Sequence, residues 1–479
     1  MVKYRKAYHE INKAIKLNCF PVIILLGLRK TGKSTILKQM AQNHDGYYHD
    51  FKVNALSYEK TENLFEREES LLCLDEIGYL DCFDLFMSSL VERAGNANKK
   101  VVVTSSAYGA MKQLGSEHLG GGRSHKVELF PLSFEEYLHF SRDDFEYGDD
   151  YNPSAQDVEN FYRLKNLPSG MDFVIDRQYM LDTFTDIDVA RANKYQDERD
   201  VVLTKEQYVS VFDVLAYTLN DTLSVKRLKG SQLGAQEFQS VKGLPISKSL
   251  ISLANKIVNN MSVDLDRDIG VEDLAHIIAY LYHSGFLFLD LASNEDARQS
   301  LDDAIQGLFR LKTFAQFEMH FREYNYCVIS PLFYTRLLVD LEFIANKEFD
   351  NLSLRGKLYE LAVKSEYIQR IGYDIYHMSG KYRLGVIEVD LWLKGLLLEA
   401  AVSCKQQNKH SVDKVLKTYE LIRVLTDEPD IWKFNEIFYR IGYPKALLMI
   451  SNGSIFKLQA AKVTANDKQI QGEKDGIDL

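Results

Sequence analysis

The eight residues Gly27-Leu28-Arg29-Lys30-Thr31-Gly32-Lys33-Ser34 constrain this chain more than any other stretch. They match the pattern GxxxxGK[ST], and they stand directly after an apolar run, Val22 to Leu26, and directly before a helix-patterned stretch that begins at Ser34. Ile36, Leu37, Met40 and Ala41 recur at helical spacing, so that stretch is expected to bury one face against a sheet. Gly27 and Gly32 allow the backbone to turn its N–H groups toward phosphates, and the helix N-terminus behind them adds partial positive charge. Lys33 is expected to reach the β and γ phosphates, and the Ser34 hydroxyl to coordinate magnesium, with Thr35 continuing the helix. The segment Gly27 to Thr35 is therefore expected to cradle ATP with Mg2+.

Further strands are expected at Gly46 to Phe51, Leu71 to Leu74 and Lys100 to Thr104, alternating with helices as in a parallel sheet. Leu71-Leu-Cys-Leu-Asp75-Glu76 ends an apolar run in two carboxylates, a Walker B arrangement. Asp75 would hold magnesium through its water shell, and Glu76 would polarise the attacking water as general base. The strand Val101-Val-Val-Thr104-Ser105-Ser106 ends in hydroxyls, and either Thr104 or Ser106 would contact the γ-phosphate or the water. Arg123, after Gly120-Gly-Gly122, is a candidate to enter a neighbouring subunit's site in a homo-oligomer, the alternative being a solvated surface arginine.

A length of 479 residues implies several domains, and 46% hydrophobic with 26% charged residues is the composition of a globular protein. Five scattered cysteines without a CxxC pair suggest neither a disulfide framework nor a zinc site, which fits a reducing cytoplasm. The first apolar run is too short to span a bilayer, so no membrane association is expected. A net charge of −10 opposes indiscriminate attraction to nucleic acid. Absence of an Asn-Lys-x-Asp motif favours ATP over GTP.

The expected organisation is an α/β P-loop domain over residues 1–150, a helical winged-helix domain over 151–320, an α/β domain over 321–460 and a disordered tail over 461–479. Ile246 to Val258, Val271 to Ser284 and Gly285 to Asp290 read as helix, helix, strand, which is winged-helix order. Six basic residues (Lys226, Arg227, Lys229, Lys242, Lys248, Lys256) and one acid, Glu237, lie between Thr222 and Ser262, so this segment could meet a DNA backbone; the alternative is a solvated face used only in domain packing. In the last domain, extended segments are expected at Tyr326 to Ser330, Val386 to Leu393, Leu396 to Ser403 and Ala446 to Ile450.

Taken together, these residues resemble prokaryotic AAA+ ATPases in which a winged helix and a restriction-endonuclease-like C-terminal domain follow the ATPase domain. The resemblance rests on Gly27 to Thr35, Leu74-Asp-Glu-Ile77, Thr104-Ser-Ser-Ala107, Gly122-Arg123 and Pro131-Leu-Ser-Phe-Glu-Glu-Tyr137, with Ser105 in place of the usual glycine before the sensor serine. It implies cytoplasmic ATP hydrolysis and oligomerisation. Glu360, Asp390 and Glu399 resemble a PD-(D/E)xK metal-dependent nuclease constellation, but Ala401 stands where its lysine belongs and Lys405 lies further along, so a degenerate scaffold is expected rather than an active nuclease, the other alternative being an unrelated α/β domain. Two broader readings remain beside the ATPase that rearranges its C-terminal domains: a slow nucleotide-dependent switch with a DNA or protein partner, and a nucleotide-gated nuclease.

Overall fold

Every residue of β1 (Val22–Gly27) is buried, as a strand covered on both faces of a parallel sheet requires. The computed structural model describes residues 3–117, 123–162, 164–168 and 443–456, with short strands and helical fragments between 189 and 442. In it β1 pairs in parallel with β4 (Lys100–Val103) on one side and β5 (Ser124–Leu129) on the other. β3 (Leu71–Asp75) follows β4, and β2 (Tyr47–Asp50) forms the edge, giving the order β2-β3-β4-β1-β5, parallel throughout. This is a P-loop NTPase-like α/β sheet.

Alternation along the strands sorts the side chains onto two faces. Ile23, Leu25, Leu71, Cys73, Val102, Val127 and Leu129 meet Ala7, Tyr8, Ile11 and Ala14 of α1 (Lys6–Leu17) and Ile36, Leu37, Met40 and Ala41 of α2 (Lys33–Asn43) in one buried cluster. The alternate residues Val22, Ile24, Leu26, Leu72, Leu74, Val101 and Val103 are as deeply buried. A short α3 (Glu62–Phe65) precedes β3, and α4 (Phe83–Asn96) and α5 (Tyr108–Glu117) both contact β1. Burial of Ile36, Leu37 and Met40, at roughly 1.5–3 kcal/mol each, fixes the N-terminus of that helix against the sheet.

The chain divides into two units, the first comprising Met1–Pro131, Ser169–Leu291 and Glu295–Ile344, the second Leu132–Pro168, Ala292–Asn294 and Ala345–Leu479. In the first, a helical fragment at residues 275–280 falls within the expected helix Val271 to Ser284. There β6 (Leu287–Leu289) pairs antiparallel with β8 (Tyr326–Val328). In the second, β7 (Ala292–Ser293) and β10 (Ile387–Val389) flank β9 (Lys381–Leu384). A five-stranded mixed sheet runs β11-β12-β13-β15-β14, formed by Leu391–Leu393, Leu396–Ala401, Glu420–Leu425, Phe438–Gly442 and Trp432–Asn435 in that spatial order. The run Val386 to Leu393, read as continuous, is thus two strands in different sheets.

Ala446 to Ile450, expected as extended, is instead part of a helix, α8 (Tyr443–Ser451). The segment is buried on consecutive positions, so no period distinguishes helix from strand, whereas Pro444 in the first turn pre-sets a helical φ. Ile246 to Val258, the basic residues between 222 and 262, Glu360, Asp390, Lys405 and the tail over 461–479 lie outside the described residues. Among the described residues, no helix is long and apolar enough to cross a membrane.

The segment Leu132–Pro168 contains α6 (Phe134–Ser141) and α7 (Ala155–Tyr162). Ser133 and Glu136 form a reciprocal capping box at the start of α6. The Glu366 carboxylate accepts from the Phe134 N–H at 2.9 Å, and Ser451 Oγ from the Glu135 N–H at 3.0 Å. The motif Pro131 to Tyr137 therefore encodes a helix start whose first donors are each met by a side chain.

Candidate functional site

The chain leaves β1 at Gly27, where any Cβ would sit 2.6 Å from the Leu129 carbonyl of β5, so only glycine fits. It then folds around one acceptor: the Leu28 carbonyl receives Thr31 Oγ1 at 2.7 Å and Lys33 Nζ at 2.8 Å. Lys30 takes a left-handed φ of 62° and Gly32 a φ of 98°, and a Cβ built on Gly32 would meet nothing within 4 Å. Gly32 caps α2 without a side-chain hydrogen bond. Arg29 is half-buried, Lys30 and Thr35 are exposed, and Leu28 and Thr31 are buried. The loop is thus tied on its inner side and open on the other.

Arg5 supports it from below. Its guanidinium donates to the Thr31 carbonyl at 3.0 Å and to the Phe130 carbonyl at 2.8 Å, clasping the loop to the end of β5. No sequence motif marks this residue, whose partners lie 26 and 125 positions away.

Parallel register brings the carboxyl end of β3 beside the loop. Asp75 is buried, and its carboxylate accepts from Tyr48 Oη at 2.7 Å and from the Glu76 N–H at 3.0 Å, with the Ser34 hydroxyl near it. Desolvation raises its pKa above the ordinary carboxylate range, although the Ser34 and Tyr48 hydroxyls oppose that rise. Lys33 is pushed down to about 8 by desolvation, against the attraction of Glu76 and Asp75. Tyr48 is held above its usual range by desolvation first and the Asp75 hydrogen bond second. Tyr48 is the other residue that sequence reasoning missed.

Glu76 has a left-handed backbone, φ 54° and ψ 39°, unusual for a side chain of its size. Its Oε2 accepts from both the N–H and the hydroxyl of Ser106, each at 2.8 Å. Thr104, by contrast, is fully buried with its hydroxyl donating to the Leu25 carbonyl of β1 at 2.7 Å. Lys33, Ser34, Asp75, Glu76 and Ser106 are therefore brought together, while Thr104 ties two strands. Arg123 is exposed and precedes Ser124, the partner of Val22. It stands at the amino end of β1, opposite the Gly27 loop.

No group of three or more His, Cys, Asp or Glu side chains that could hold a metal occurs among the described residues. What this site offers is one hydroxyl beside one carboxylate. Magnesium, which retains waters and takes substrate phosphates as ligands, needs no more than that from a protein.

Several solved structures show similarity at low scores. The Walker-type ATPase of Pyrococcus abyssi is 12% identical over 70% of this chain and 96% of its own, with a TM-score of 0.32. Cdc6p of Pyrobaculum aerophilum is 12% identical, covering 65% and 96%, at 0.21. The ORC1 protein of Aeropyrum pernix in complex with DNA is 12% identical, covering 64% and 93%, at 0.24. No curated protein sequence matches the chain. Residues 20–138, which span the sheet and every residue gathered at its open end, match a protein family described as an AAA domain.

Proposed function

We propose that this site binds ATP with magnesium and hydrolyses it. The observation that carries the reading is the meeting of Lys33, Ser34, Asp75, Glu76 and Ser106 at the carboxyl end of one parallel sheet, beside an open loop and a helix N-terminus. Lys33 would exchange the Leu28 carbonyl for β and γ phosphate oxygens, and loop amides from Arg29 to Thr35 would donate to the rest of the chain of phosphates. Ser34 would bind the ion directly and Asp75 through water. Magnesium, when bound, supplies neutralising charge to the transferred phosphoryl group.

Glu76 would orient and deprotonate the attacking water once its carboxylate leaves Ser106. Ser106 is better placed than Thr104 to report the γ-phosphate, because its hydroxyl already faces Glu76. Arg123, at the far end of β5, would serve only a neighbouring copy's site, so that role requires a homo-oligomer. Turnover would drive rearrangement of the C-terminal part of the chain.

Glu76→Gln tests this reading. Turnover should fall roughly 10²- to 10⁴-fold, as for loss of a general base, with ATP affinity retained; unchanged turnover would remove Glu76 from catalysis. A second reading, a slow nucleotide-dependent switch, is favoured by the clasp of two Ser106 donors on Glu76. It predicts negligible turnover in the wild type and no further loss in Glu76→Gln.

A further inference from the structure

The edge strand β2 carries no residue of the nucleotide-binding pattern, yet it supplies a donor to the centre of the site. Tyr48 lies opposite Cys73 in the β2–β3 register. Residues of one strand alternate faces, so Cys73 and Asp75 share a face, and Tyr48 Oη reaches Asp75 Oδ2 at 2.7 Å. The other oxygen, Oδ1, accepts from the Glu76 N–H at 3.0 Å. With a donor on each oxygen, rotation of the carboxylate is blocked, and the carboxylate keeps its orientation near the Ser34 hydroxyl.

Tyr48 is itself well anchored. Its ring packs against the cluster formed by α1, α2 and the sheet, and Lys38 Nζ lies 5.3 Å from the ring centroid. An aromatic ring fixed in this way carries its hydroxyl to one place with little loss of conformational freedom. Glycine, aspartate and serine at the loop and strand end account for the ligands; they do not account for what aims Asp75.

We infer that Tyr48 is a positioning residue for the magnesium site, its hydroxyl orienting Asp75 so that Ser34 and Asp75 present a prearranged pair of oxygens to the ion. The inference rests on the nucleotide-binding reading above. Groups that hydrogen-bond a metal-binding side chain from behind set its orientation, and their loss typically weakens metal binding by about 10- to 100-fold. Nothing in this role touches the triphosphate, so nucleotide and metal affinities should separate.

Tyr48→Phe removes the hydroxyl and keeps the ring. Binding of Mn2+, as a paramagnetic substitute for Mg2+, is followed by electron paramagnetic resonance on full-length protein saturated with a non-hydrolysable ATP analogue; analogue affinity is measured separately in EDTA. The expected result is a manganese Kd raised about 10-fold or more, an analogue Kd in EDTA changed less than about twofold, and an unaltered circular dichroism spectrum. A manganese Kd that is unchanged or tighter in Tyr48→Phe, with the wild type binding both ligands, overturns the role of Tyr48 alone. Failure of the wild type to bind the analogue overturns the nucleotide reading and this inference with it. Parallel weakening of analogue binding in EDTA would make the tyrosine a general structural support and likewise overturn the inference.

Discussion

The N-termini of α2 and α6 begin with the same backbone donors that no helix can satisfy from within and the same partial positive charge, and the chain treats them in opposite ways. At α6, the N–H groups of Phe134, Glu135 and Glu136 are met by Glu366, Ser451 and Ser133, at 2.9, 3.0 and 3.2 Å. At α2, the capping residue is Gly32, no side-chain hydrogen bond caps the helix among the described residues, and the space a Cβ would fill is open for at least 4 Å. A helix end completed by its own chain holds structure together. One left open, with the Lys33 ammonium beside it, can take an anion.

The contrast is most strongly tested at Lys33. Lys33→Ala should lower ATP affinity by about 100-fold or more, the scale set by losing a charged donor to phosphate in a desolvated site; isothermal titration gives the number. Because the ammonium is buried at a cost, its removal should leave the melting temperature unchanged or raised. The reverse pattern is expected at α6. Glu366→Ala takes the acceptor from a buried N–H and should cost about 1–3 kcal/mol in denaturant unfolding, without altering ATP affinity. Ser133→Ala, the loss of one cap, should cost ~1 kcal/mol and again leave binding alone.

The smallest expected effect is on pH dependence. Lys33 has a pKa of about 8 in the folded protein against 10.5 in the unfolded chain. Phosphates favour its charged form, so ATP affinity should fall severalfold as pH rises through about 8, and binding above that pH should take up a proton. Titrations in buffers of different ionisation enthalpy measure that uptake. Between about 8 and 10.5 the unfolded chain holds more protons than the folded one, so this group makes the nucleotide-free protein more stable as pH rises across that window. Lys33→Ala should abolish that component.

Local features were legible in the sequence. The strand, loop and helix around Gly27 to Ser34, and the apolar run ending at Asp75, announce themselves through periodicity and residue type over short stretches. Ser106 could be named as a sensor candidate, but not separated from Thr104, because only the sheet register shows that the Thr104 hydroxyl is held by Leu25. Arg5, Tyr48 and Glu366 had no local signal, since each acts on a partner 26 to 232 positions away. Pro131 to Tyr137 was visible as a motif, yet its physical meaning, a helix start met by distant acceptors, emerges only from those long-range hydrogen bonds. The helix α8 was misread because an apolar segment buried on successive positions has no period to read.

Amide hydrogen exchange compares the two helix starts in a single experiment. Addition of ATP with magnesium should slow exchange across residues 28–36 and leave residues 133–137 unchanged. Unaltered exchange at 28–36 under saturating nucleotide, or protection at the start of α6 instead, would contradict the claim that the open end of α2 is the anion site.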